Sequence, residues 1–195
     1  GVLHVDGYAG FEQVAARPDV TLAACWAHTR RKFYDVAQAT GSPIAEDAVR
    51  RIADLYAIEA EIRGKAPHWR LAARRKLSAS RVENLRLWLE NQLAQVPARS
   101  TLADAIRYTL ARWKGLTRFL DDGRVELDTN PVERAIRPVA LGRKNHLFAG
   151  SDGGAERWAI LCSLIETAKL NGVEPYAYLT DILQQMADGY PANRL

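Results

Sequence analysis

From Thr29 to Leu120 apolar residues recur every three or four positions with little interruption, and this stretch limits the fold more than any other feature. About ninety residues with that period form a set of packed helices rather than a sheet. Ahead of it stand two short apolar runs, "VLHVD" (2–6) and "VTLAACWAH" (20–28), separated by "GYAGFEQVAARP". The spacer can make a short helix before Pro18 and Asp19 turn the chain. Strand, helix, strand, with strands apolar on both faces, fits a parallel pair covered by helices and joined by a right-handed crossover.

Within the helical stretch, Ser42-Pro43 opens a helix carrying Ile44, Ala48, Ile52, Leu55, Ile58 and Ile62, ending near Gly64. Ser80 with Glu83 reads as a capping box ahead of Val82, Leu85, Trp88, Leu89 and Leu93, stopped by Pro97. Ser100 caps a further helix with Leu102, Ile106, Leu110, Trp113, Leu116 and Leu120 on one face. "DDGRVELD" (121–128) gives a turn and an extended piece. In "DTNPVERAIRP" (128–138), Asn130 falls at a cap position, Pro131 at the first helical position and Glu133 three residues after the cap, with Pro138 ending or kinking the helix. "AGSDGG" (149–154) is a turn, residues 155–170 a helix apolar over most of its circumference and hence central, and Pro175 begins a last helix to about Asp188. Strands, a helical block, then helices that must return to the strands describe an α/β core with an all-helical insertion.

Composition and charge narrow the function. With 48% hydrophobic residues in 195, the chain can fill a sizeable core, and no apolar run reaches the roughly 20 residues that cross a bilayer. Cys25 and Cys162 are too few for a disulfide framework, so a reducing, cytoplasmic setting is expected. The chain opens on Gly1 and goes directly into a strand, which reads as a piece of a longer polypeptide. Net charge is −2 over residues 1–28, +9 over 29–120 and −3 over 121–195. A basic middle favours a polyanion, and acidic flanks that converge would suit divalent cations, although charged residues also simply solvate helix faces.

Asp6 ends the first strand, at the edge where open α/β sheets place their sites, though Asp-Gly is also an ordinary turn signal. Glu133 sits on a first helical turn and can close a helix end. Taken together the two carboxylates, from a strand end and a helix start, could converge on divalent ions as two-metal phosphoryl transfer requires. Arg134 and Arg137 follow on the same helix within reach of phosphates. "TRRKF" supplies Arg30, Arg31 and Lys32, and "GRKNH" supplies Arg143 and Lys144, as phosphate contacts flanking those elements. Cys25 and His28 form a C-x-x-H pattern without an evident second pair of zinc ligands.

"HVDGYAGF", "CWAHTRRKF", "DTNPVERAIRPVALGRKNHLFAGSDGG" and "SLIETAKLNGVEPYAYL" closely resemble the catalytic C-terminal region of bacterial insertion-sequence transposases of the IS66 family. The blocks span nearly the whole chain apart from roughly residues 41–100. The resemblance implies a ribonuclease-H-like fold with an Asp, Asp, Glu (DDE) triad, in which the second Asp is Asp6 and the Glu is Glu133. It implies a core made of residues 1–28 and 121–195, interrupted by a helical insertion at 29–120. The family's first catalytic Asp lies on an earlier strand, upstream of Gly1, so two of three metal-holding acids are expected here.

The resemblance also implies two Mg²⁺ (or Mn²⁺) ions in the intact enzyme, and DNA as partner, both transposon ends and target. It further implies a homo-oligomer in a synaptic complex, accessory transposition proteins, and a location in the cytoplasm at the nucleoid. Cys25 and His28 match an element that follows the second Asp in several transposase groups, which makes them neighbours of the active site or of end-DNA. Two rival readings stand beside this one: an inactive fragment that binds DNA or a transposase partner, and a helical interaction module with no nucleic-acid role.

Overall fold

The computed structural model describes residues 1–6, 9–142 and 149–191, which fall into two compact units, Gly1–Pro131 and Val132–Leu195. In the first unit, strands β1 (Val2–Val5) and β2 (Thr21–Ala24) pair in parallel, with Val2 opposite Thr21 and Val5 opposite Ala24. A 3₁₀ turn and the short helix α1 (Glu12–Ala15) connect them. The strand expected over 20–28 is shorter than its apolar run. Cys25 keeps an extended backbone, and Trp26, Ala27 and His28 already belong to helix α2 (Trp26–Thr40). The apolar run divides there because Trp26 is needed in the core. Its indole N–H donates to the Leu116 carbonyl at 2.8 Å, and its ring meets that of Trp113 edge-on at 5.9 Å.

Gly41, at φ 63°, closes α2 in the left-handed conformation that glycine adopts without strain. Ser42 then caps α3 (Pro43–Ile62), its hydroxyl oxygen accepting from the Ala45 N–H at 3.3 Å. The stripe Ala45, Ala48, Ile52 and Leu55 is fully buried, as its spacing requires. Beyond it the structure departs from the sequence reading. A helix starts at Pro67, α4 (Pro67–Ala73), and passes through a five-residue π-helical segment, Arg74–Ser78, into α5 (Ala79–Gln95). Ser80 and Glu83 form no capping box, because the helix is already under way when they are reached.

The helix expected over 101–120 is broken at Arg112 into α6 (Thr101–Ala111), α7 (Trp113–Leu116) and a 3₁₀ turn. The break lets Gly115 of α7 lie against β2: a Cβ there would stand 3.1 Å from that of Ala24. One core holds the unit together, running from Trp26 and Phe33 through Ile52, Leu85, Leu89 and Ile106 to Phe119 and Leu127. Buried at its side is an ion pair, Arg74 forked onto Glu59 with two bonds of 2.7 Å.

Helix α8 (Asn130–Gly142) leads into the second unit and runs through Pro138 rather than ending there. Within that unit, α9 (Asp152–Leu170) begins earlier than expected, since Ser151 accepts from the Gly154 N–H and turns "AGSDGG" into a helix start. A Schellman turn at Gly172, with the Val173 N–H on the Ala168 carbonyl, joins α9 to α10 (Pro175–Ala187). Despite its apolar circumference α9 buries only Ala168 among its described residues, leaving Ile160, Leu161 and Leu170 exposed. Helix α10 packs against it in the same unit.

Candidate active site

The parallel register brings Asp6 and Cys25 to the same, carboxyl-terminal edge of the strand pair, each being the residue that follows a strand. This is where open sheets of this kind hold ligands. Asp6 is exposed, and its backbone carbonyl accepts a bond from the Tyr108 hydroxyl of α6 at 3.3 Å. Cys25 is buried, its sulfur accepting from both the N–H (3.4 Å) and the hydroxyl (3.3 Å) of Thr129. His28, one turn into α2, brings a ring nitrogen within 4.8 Å of that sulfur. The C-x-x-H pattern is thus a local cluster at the edge, with donors softer than Mg²⁺ selects.

A second carboxylate, Asp128, is buried beside Leu127, whose carbonyl accepts from the Trp26 N–H at the start of α2. Asp128 accepts from the backbone N–H of Asn130 at 3.0 Å and from its side-chain amide at 2.8 Å, an Asx turn that aims the chain into α8. Asn130 is therefore the first residue of α8 rather than its cap. Burial, and then the negative Asp128 beside it, push the Tyr56 hydroxyl far above the usual tyrosine range, so it stays protonated. Burial also pulls His4 below its usual value, against its ring bond to the Ala24 carbonyl at 3.1 Å.

Of the predicted phosphate contacts, Arg30, Arg31 and Lys32 are exposed on α2. Arg30 and Arg31 line an open cleft of about 870 Å³ with Tyr34, Asp35, Tyr56 and Asn130, and the Arg30 guanidinium stands 6.0 Å from the Tyr34 ring. Lys32 turns instead toward Tyr108, its ammonium 5.2 Å from that ring, where the Arg112 guanidinium is stacked at 3.9 Å. Sequence reasoning passed over Tyr108 and Arg112. Their i, i+4 spacing at a helix end was the available signal.

Glu133, Arg134 and Arg137 are exposed on α8 and belong to the second unit. Arg143 and Lys144 lie outside the described residues. Among the acids predicted to hold Mg²⁺ or Mn²⁺, Asp6 and Glu133 are both exposed carboxylates, hard oxygen donors of the kind those ions take.

Residues 1–157 match the transposase IS66 family and residues 163–195 the IS66 C-terminal element, so the chain belongs to the IS66 family. It is 46% identical to the uncharacterized protein y4jD and 43% identical to the uncharacterized protein y4qI, both of Sinorhizobium fredii (strain NBRC 101917 / NGR234). Those similarities cover 97% and 100% of this chain, and the chain spans 38% of the length of each relative. No solved structure matches the chain. No helix among the described residues is long and apolar enough to cross a membrane.

Proposed function

We propose that this chain is the catalytic region of a DDE-type transposase that cleaves DNA at the ends of an insertion sequence and joins them to a target. The observation that carries the reading is the position of Asp6, an exposed carboxylate just past β1, with Arg30, Arg31 and Lys32 on the helix that follows the neighbouring strand. On this reading the two strands and the Glu133 helix are parts of a ribonuclease-H-like core, completed by strands from the rest of the polypeptide. On the same reading Asp6 and Glu133 would hold Mg²⁺ or Mn²⁺ together with an acid from that remainder. When bound, the ions supply Lewis acidity to the phosphodiester and lower the pKa of the attacking water or 3′-hydroxyl. The chain's own work is to hold the strand. Exposed arginines and lysines contact phosphates and fix register without reading sequence. Synapsis of two ends calls for a homo-oligomer, with accessory transposition proteins as further partners.

The test uses the full-length transposase and a duplex from the end of its element. Asp6→Asn and Glu133→Gln should each lower Mg²⁺-dependent strand cleavage by about a thousandfold or more, while the Kd for the duplex changes only a few-fold. Cleavage at the parental rate by either variant overturns the assignment.

A further inference from the structure

Tyr108 and Arg112 have no role in the reading above, and the geometry that ties them to Lys32 is specific. Tyr108 reaches out of α6, inside the helical block, to the first residue beyond β1, where its hydroxyl donates to the Asp6 carbonyl at 3.3 Å. Two cations distant along the chain are gathered on its ring, Arg112 at 3.9 Å and Lys32 of α2 at 5.2 Å. Arg112 occupies the break after α6 and also donates to the Tyr108 carbonyl at 3.3 Å, so its guanidinium is held folded back over the ring. No salt bridge joins Lys32 or Arg112 to a carboxylate among the described residues. A ring already carrying a guanidinium at stacking distance is poorly placed to receive a nucleobase. It serves better to hold the positive charges in place.

We infer that Lys32 and Arg112, gathered on Tyr108, form a phosphate clamp that seats the DNA backbone beside Asp6. The clamp deepens the function proposed above and rests on it. Its ligand is a phosphodiester of the strand leading into the Asp6 edge. Fixing one cation by stacking before DNA arrives reduces the ordering cost of the contact, and the guanidinium can meet two phosphate oxygens at once. The three residues are positioning residues and act on binding.

The experiment measures fluorescence anisotropy of the full-length transposase with two fluorescein-labelled duplexes of equal length, one from the element's end and one scrambled, over a salt series. Lys32→Gln and Arg112→Gln should each weaken both duplexes alike, about five- to tenfold at moderate salt. Each should also reduce the slope of log K against log salt by about one. Tyr108→Ala should match Arg112→Gln, Tyr108→Phe should stay within about twofold of the parent, and Arg112→Lys should recover the slope. In steady-state cleavage the rise in KM should exceed any fall in kcat. An unchanged slope in Lys32→Gln and in Arg112→Gln overturns the clamp, as does a loss confined to the end sequence. Lys32 is exposed, so its variant decides the matter even if Arg112→Gln fails to fold. Asp6→Asn separates the two ideas: were it to cleave normally, the catalytic reading would fall while the clamp's salt slopes stood.

Discussion

Arg74 shows what a single residue does for this fold. Its guanidinium is fully buried, forked onto Glu59, and donates from Nη1 to the carbonyls of Phe119 and Val125 at 3.1 and 2.8 Å. It therefore ties α3, the π segment and the turn leading back to the strands. Arg74→Met would leave Glu59 buried beside only Arg70, 3.5 Å away, and would strand those carbonyls. We expect a loss of about 3–5 kcal/mol in urea unfolding. Combining it with Glu59→Leu should cost less than the sum of the two, because the second change removes the unpaired charge that the first creates. Nothing in the sequence separates Arg74 from its exposed neighbour Arg75. Counted by charge, Arg74 belongs to the basic block, and only partners distant along the chain make it a structural residue. The position of Asp6 just past a strand was legible because the strand itself sets it, whereas the cluster of Tyr108 and Arg112 arises only when α6 lies beside Asp6.

At the scale of elements, an element is legible where its signals lie close together in the sequence. Ser42-Pro43 and the stripe from Ala48 to Ile62 define α3 because cap, first turn and buried face all lie within twenty residues of sequence. The continuous run from α4 through the π segment into α5 could not be read in the same way. A π turn takes in one extra residue and shifts the apolar phase, so Ser80 imitates a new helix start. What fixes the beginning of that run is again remote. Gly123 packs so closely on the first residue of α4 that a Cβ would stand 1.8 Å from the Pro67 carbonyl oxygen. Gly123→Ala must therefore push α4 from the returning segment, and we expect a loss of about 3 kcal/mol, read as a lowered Tm. Gly41→Ala is the control. It has positive φ but open space around its Cβ position, and should cost only about 1 kcal/mol. Equal losses at the two sites would mean that the Pro67 contact yields without strain.

For the molecule as a whole, the charge on residues 29–120 overstates the cationic surface left for the proposed DNA contacts. Arg70 and Arg74 are buried in ion pairs. Arg50, Arg51, Arg86, Arg107 and Arg118 each meet a carboxylate three or four residues away. Among the described residues, Arg30, Arg31 and Lys32 on α2 and Arg112 after α6 form no salt bridge with a carboxylate, and α2 starts just beyond β2 at the strand edge. Counterion release depends on phosphates neutralised, not on formal charge, at about 0.9 of slope per contact. Replacing Arg30, Arg31 and Lys32 together by Gln should therefore flatten the salt dependence of duplex binding by about two to three in log–log slope. The same number of charges removed from the ion-paired set, as Arg50→Gln, Arg51→Gln and Arg86→Gln, should change it by less than about one. Measured on one duplex over one salt series, equal flattening by both triple variants would mean that DNA meets the helical block as a diffuse positive field. A loss confined to the α2 set would put the backbone at the edge that carries Asp6, which is where the proposed strand cleavage requires it.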